Sequence, residues 1–166
     1  GDYLGDHWLG EKDWFHELSE KIPLIVRDPS QSANFSCGSS SKELVESIDL
    51  IPTFIEALGG TFQDHILEGK SLKPLLNCKS TESFREYATS EYDYSIAPIS
   101  SLISADPKKA RVYMVTTQSW KYIYTVWYRP VLFYLQEDPL ELNDLGENVG
   151  YFKIQREPHD QLLRSR

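Results

Sequence analysis

The run Ile22-Pro23-Leu24-Ile25-Val26, closed by Asp28-Pro29, constrains the fold of this chain more than any other stretch. A short, nearly continuous apolar run reads as a strand buried on both faces, as in a sheet covered by helices. Pro23 near its start is compatible, because a first strand residue can forgo its ladder donor. The fold class expected is therefore α/β. Asp28 ends the run, where sheets of this class carry their sites.

After a polar, serine-rich loop over Ser30–Ser41, apolar residues recur at Leu44, Ile48, Ile51, Ile55 and Leu58. Steps of four and three predict a helical stripe facing a core. Pro52 interrupts it, so a restart is expected, with Asp49 or a neighbour capping, Pro52 in the first turn, and Gly59-Gly60 as the stop. Thr81–Arg85 mark a boundary. Residues 1–80 then form one part, of α/β character, and 81–166 a C-terminal subdomain. Strands are expected at Tyr87–Tyr92, Arg111–Thr117, Trp120–Thr125 and Val131–Gln136, with Gln118-Ser119 as a tight hairpin. On the third strand Trp120, Tyr122 and Tyr124 alternate with Lys121 and Ile123, which makes one face aromatic. Gly146–Pro158 reads as irregular, with a trace of helix over Asp160–Arg166.

Acids, histidines and one lysine crowd into Gly1–Glu17, GDYLGDHWLGEKDWFHE. Gly1 and Gly5 permit close backbone approach, and Asp2 and Asp6 favour turns. Trp8, Leu9, Trp14 and Phe15 give the segment apolar weight, so it reads as a loop packed over a sheet edge. Lys12 stands between Glu11 and Asp13. By itself it reads as a solvated surface lysine paired with one of them. Asp2 and Asp6 read as turn caps rather than cation ligands. His65 and His159 read as surface residues, and Tyr92, Asp93 and Tyr94 end a strand beside a long loop, where substrate contacts occur.

A net charge of −8 with scattered basic residues excludes a phosphate-tracking nucleic-acid surface. No apolar run reaches the length of a membrane span. Cys37 and Cys78 are too few for a disulfide framework or a cysteine zinc site and read as free structural thiols, although one bridge between them stays open. Asn34-Phe35-Ser36 fits a glycosylation sequon that needs a secretory context.

Several of these stretches together resemble the sulfatase family of the alkaline phosphatase superfamily. The family pattern runs S-D-H-G-x-x-L-G-x-H, then to a lysine, then to a strand P-L-I-x-x-x-P. Gly1 corresponds to the glycine after the Asp-His pair, Leu4-Gly5-Asp6-His7 to L-G-x-H, and Ile22-Pro23-Leu24-Ile25-Val26 to the strand. Val45, Asp49-Leu50 and Pro52-Thr53 resemble V-x-x-x-D-L-x-P-T, which we read as architectural. Gly69–Leu76 resembles G-x-S-L-x-P-L-L. Leu132–Glu141 resembles L-Y-D-L-x-x-D-P-x-E, with Tyr134 in place of the usual acid, and Asn143-Asp144-Leu145 resembles the following N-L. Ser90–Ser95, Ala110–Val115, Trp120–Ile123 and Arg129–Phe133 look most like the phosphonate monoester hydrolase branch.

The resemblance implies the C-terminal part of an alkaline-phosphatase-like fold, with residues 1–80 as the end of its catalytic α/β domain and a small antiparallel sheet in 81–166 beside a buried strand. It implies hydrolysis of sulfate, phosphodiester or phosphonate monoesters, with a small anionic ester as partner and a divalent cation of the Ca or Mn type. Lys12 falls at the family's active-site lysine, where an ammonium stabilises charge developing on a tetrahedral centre. His7 becomes a support for the loop, and His16 has no catalytic counterpart. The formylglycine nucleophile implied, made from Cys or Ser in C/S-x-P-S-R, has no match at Cys37-Gly38-Ser39 or Cys78-Lys79-Ser80. The metal-ligating Asp-His pair is absent too, so no metal ligand is assigned to this chain, which alone is expected to be inactive. A homo-oligomer stays open. The compartment implied is the cytoplasm for the phosphonate branch, and a secreted or lysosomal one for a eukaryotic-type arylsulfatase. The rival reading is a non-catalytic binding or assembly module derived from a sulfatase.

Overall fold

Period-2 alternation builds the sheet. The computed structural model describes residues 1–12, 14–29, 38–77, 83–96 and 110–164, the side chains of 96 and 161–164 excepted. The strands β1 (Ala88–Asp93), β2 (Arg111–Thr116), β3 (Trp120–Thr125) and β4 (Val131–Tyr134) lie in the order β1-β2-β3-β4. β2 and β3 pair antiparallel with Met114 opposite Ile123 and Thr116 opposite Lys121, and β3 and β4 with Lys121 opposite Phe133. Gln118-Ser119 turns the hairpin as expected, closed by the Thr117 N–H on the Trp120 carbonyl at 2.8 Å.

Residues opposite one another share a face. Val112, Met114, Ile123 and Phe133 therefore form one face, whose cluster includes Phe15 from the first segment together with Tyr94 and Ala110. Tyr113, Val115, Tyr122 and Leu132 are buried on the other face, toward the last helix. That helix, α4 (Phe152–Arg164), packs on β2 and β3. His159 Nδ1 of α4 is hydrogen-bonded to the Tyr122 hydroxyl at 3.3 Å, and its ring meets the Tyr124 ring edge-on at 4.9 Å. Burial pushes Tyr122 up to about 12, which keeps it a donor. His159 is thus a packing residue rather than a surface one. The helix also begins well before the expected Asp160, because Pro158 within it broke the pattern on which the expectation rested.

By contacts the chain groups into two compact units, Gly1–Pro23 with Thr89–Arg166, and Leu24–Ala88. The domain boundary expected after residue 80 falls among residues 78–82, outside the described ones, as do Asn34, Cys37 and Cys78.

In the second unit a 3-10 turn, Ser47–Asp49, runs into α2 (Leu50–Ala57), with α3 at Lys73–Leu76. Pro52 in the first turn and the stop at Gly59-Gly60 are as expected, but residues 42–46 are not helical, so the helix starts here rather than restarts, and the Asp49 side chain caps the 3-10 turn through the Glu46 N–H and not α2. The buried face is not. Ile48 and Ile51 are about half exposed and Leu58 is 89% exposed, while Asp49, Pro52 and Thr53 are buried. The reason is polar. Asp49 accepts from the Glu46 N–H at 2.7 Å, the Lys70 N–H at 2.8 Å and the Arg85 guanidinium. The Thr53 hydroxyl donates to the Asp49 carbonyl at 2.6 Å and accepts from the Leu72 N–H at 2.8 Å. Burial raises the Asp49 carboxyl, opposed by the Lys70 N–H. The D-L-x-P-T and G-x-S-L-x-P-L-L stretches are thus two halves of one hydrogen-bonded assembly. Gly69 completes it, since a Cβ there would stand 2.1 Å from the Ile48 carbonyl oxygen.

The run Ile22–Val26 is a correction. It is irregular rather than a strand, Ile22 is 61% and Ile25 93% exposed, and it pairs with no strand among the described residues. Apolar content expresses a preference for burial. A parallel strand also needs flanking ladders, and among the described residues no strand lies beside it. Asp28, beyond it, accepts from Lys73 Nζ at 2.6 Å.

Candidate functional site

The first segment folds on itself before it touches the sheet. The Tyr3 N–H donates to the Glu11 carbonyl at 3.1 Å and the Gly5 N–H to the Leu9 carbonyl at 3.0 Å, closing a loop whose base is followed at once by Lys12. Asp2 accepts from the Leu4 N–H at 3.0 Å, the turn-capping use expected of it. Leu4, Gly5, His7, Trp8 and Glu11 all take positive φ, between 49° and 104°. Left-handed backbone at four non-glycine residues is strained, and such strain persists only where the surroundings fix it. Gly1 is equally constrained, because a Cβ on it would stand 1.7 Å from the Leu18 carbonyl oxygen.

What fixes the loop is a column of rings. His7 stacks on His16 with centroids 4.1 Å apart and planes 19° apart, Tyr3 meets both edge-on, and Phe133 of β4 lies 5.6 Å from His16. The Tyr3 hydroxyl and His16 Nδ1 are hydrogen-bonded at 2.7 Å. Ser19, buried below, donates to the Trp14 carbonyl. Burial lowers His16 to about 4, with His7 and then Lys121 adding to the effect, so its imidazole is neutral near pH 7. Burial likewise raises Tyr3 above its ordinary value, keeping its proton in place.

Beneath the column lies a charge cluster that sequence reasoning missed. Lys121 is fully buried, with its Nζ 2.6 Å from Glu141 Oε1, and it donates to Glu17 Oε1 at 2.9 Å. Glu141 Oε2 accepts the Glu17 backbone N–H at 2.6 Å. Burial raises the Glu141 carboxyl, and the Lys121 ammonium opposes that rise. A signal for this was present. Strand alternation places Lys121 on the face of Ile123, opposite the aromatic residues, and that is the core face. Truncating one member of such a buried pair costs about 3–5 kcal/mol.

Lys12 itself is exposed, and so are Trp8, at 99%, and Leu4, at 89%. The structure brings His7, which precedes Lys12 by five positions, together with His16, which follows it by four. Asp93 is used within the sheet edge: it accepts from the Ser95 N–H at 2.8 Å and from Arg111 Nε at 3.2 Å, and the Ser95 contacts lead in lowering its carboxyl. Tyr92 and Tyr94 pack on each other at 4.5 Å. Among the described residues no group of three or more His, Cys, Asp or Glu converges as a metal centre. The described residues thus assemble no site for the divalent cation that the resemblance implies.

Residues 5–166 match the family described as N-sulphoglucosamine sulphohydrolase, C-terminal. The chain is 30% identical over 162 residues to the multifunctional alkaline phosphatase superfamily protein PehA of Trinickia caryophylli, covering 95% of this chain and 30% of that protein. It is 28% identical over 161 residues to an N-acetylglucosamine-6-O-sulfatase of Bacteroides thetaiotaomicron, covering 95% and 27%. The fold superposes on the crystal structure of phosphonate monoester hydrolase of Agrobacterium radiobacter with a TM-score of 0.85 and 25% identity, over 99% of this chain and 32% of that one. The chain thus spans about a third of the length of these relatives.

Proposed function

The chain belongs to the sulfatase family described as N-sulphoglucosamine sulphohydrolase, C-terminal, and on that premise we propose that it is the C-terminal portion of a hydrolase of sulfate, phosphodiester or phosphonate monoesters. The observation that carries the proposal is Lys12, an exposed cation directly after a strained loop closed by Tyr3 and Glu11. An ammonium held by such a loop stabilises negative charge as it grows on the oxygens of a tetrahedral sulfur or phosphorus centre. The nucleophile and the divalent cation belong, in this reading, to sequence encoded ahead of Gly1. Two observations support a longer protein: the relatives' threefold greater length, and the exposure of the apolar residues Ile22, Leu24, Ile25, Val26, Ile51, Phe54 and Leu58.

His7, His16 and Tyr3 do not touch a reacting atom in this account. Their part is to hold the loop, with His16 neutral so that no second positive charge is buried near Lys121. The test is a hydrolysis assay on aryl sulfate, a phosphodiester and a phosphonate monoester with Mn²⁺ or Ca²⁺ present. The full-length gene product turns over at least one of them, and the 166-residue chain alone turns over none. Metal-dependent turnover by the short chain would overturn the proposal, as would a full-length product inert toward all three.

A further inference from the structure

We infer that Lys121, Glu141 and Glu17 form a positioning clamp through which the turn after β4 sets the placement of the segment that carries Lys12. Its consequence for catalysis rests on the function proposed above. The three residues close a triangle: Glu141 Oε1 lies 2.6 Å from Lys121 Nζ, Lys121 Nζ donates to Glu17 Oε1 at 2.9 Å, and the Glu17 backbone N–H donates to Glu141 Oε2 at 2.6 Å. The last bond joins residues 124 positions apart. It grips backbone, so it fixes the path of the first segment and not only a side chain.

The turn that presents Glu141 is built for that purpose. Asp138 accepts from the Leu142 N–H at 3.0 Å through one carboxylate oxygen and from the Asn143 N–H at 2.8 Å through the other. The Glu141 N–H returns to the Asp138 carbonyl at 3.1 Å, and Glu141 is held at a φ of 56°. A left-handed non-glycine residue, nearly buried, is thereby aimed inward while Leu140 and Leu142 on either side stay exposed. Both acids of the D-P-L-E stretch are accounted for, Asp138 as the pin and Glu141 as the hook.

The segment being held has little structure of its own. Its helix α1 (Glu17–Glu20) is a single turn, too short to be stable without outside contacts. Apolar packing through Phe15 draws the segment to the sheet without direction. The clamp supplies direction, because ionic and hydrogen-bonded partners tolerate only a narrow range of placements. Apolar replacements of a buried ion pair are often as stable as the pair itself, so a role in placement separates from a role in stability.

Hydrogen exchange on the full-length gene product reads that separation. In Glu141→Gln, and in the double variant Lys121→Met with Glu141→Leu, peptides spanning residues 1–20 are expected to exchange about tenfold faster while peptides spanning 111–134 keep their protection. The double variant buries no unpaired charge, so it keeps the comparison valid if Glu141→Gln unfolds. Where the gene product hydrolyses an ester, kcat in the double variant falls on the order of a hundredfold with KM little changed. Unaltered protection of residues 1–20 in the double variant would overturn the clamp, as would equal loss of protection in both regions. A gene product without hydrolytic activity would refute the proposed function while leaving the exchange result to decide the clamp.

Discussion

The Tyr3 hydroxyl and His16 Nδ1 are hydrogen-bonded at 2.7 Å inside a column of rings. Protonation of His16 would place a charge among these buried rings. His16 is lowered from 6.5 to about 4 in the fold, chiefly by burial. The unfolded chain therefore binds this proton more tightly than the folded one, and stability is full above about pH 6.5 and lost as pH falls toward 4. At pH 5.5, one unit below the unfolded value, the loss is about 1.4 kcal/mol. Urea unfolding at pH 7.5 and 5.5, with the His16 imidazole resonance followed by NMR, checks this. A resonance titrating near 6.5 and a flat stability profile would contradict it.

Asp49 → Ala should be among the most damaging single changes in the second unit. It removes the acceptor of the Glu46 N–H, the Lys70 N–H and the Arg85 guanidinium at a fully buried site. The expected loss is about 3 kcal/mol or more, read by chemical denaturation. A loss under about 0.5 kcal/mol would show that these bonds hold nothing in place.

Gly69→Ala tests the same assembly from the other side. The added methyl meets the Ile48 carbonyl oxygen at 2.1 Å, with backbone on both sides of the clash. A loss of about 1–3 kcal/mol is expected from thermal unfolding, since main chain has to shift to make room.

These two positions also show what a sequence can and cannot disclose. The four strands and the hairpin were legible because alternation and turn residues are local properties. The roles of Asp49 and Lys121 were not, because each depends on partners far along the chain, Arg85 and Lys70 for one and Glu141 and Glu17 for the other. The stripe on α2 misled for the same reason: the polar network of Asp49 and Thr53 chose the buried face against the apolar pattern. Ile22–Val26 carried a genuine preference for burial but no information on whether partner strands stand beside it. Nine positions separate His7 from His16 in the sequence, and left-handed turns between them bring their rings into a stack.

Lys12→Ala in the full-length gene product should lower kcat by roughly a hundred- to thousandfold, the value of about 2.7–4 kcal/mol of transition-state stabilisation. Because Lys12 is exposed, the melting temperature should barely move. Lys12→Arg should restore activity only in part, since a planar guanidinium does not reproduce a compact ammonium. Steady-state kinetics on the best ester, beside thermal unfolding, separates the two effects, and near-normal kcat in Lys12→Ala would remove Lys12 from the mechanism.

The sequence of the locus ahead of Gly1 decides whether this chain is the end of an ester hydrolase. A metal-activated nucleophile needs several ligands converging on one ion, and an Asp-His pair at a strand end supplies two of them beside a glycine that lets the backbone turn tightly. The account predicts Asp-His immediately before Gly1, an apolar strand before that pair, and a C-x-P-S-R or S-x-P-S-R motif much further upstream. A start codon directly before Gly1, or an upstream frame with neither element, would contradict it and leave a non-catalytic module derived from a sulfatase as the better reading.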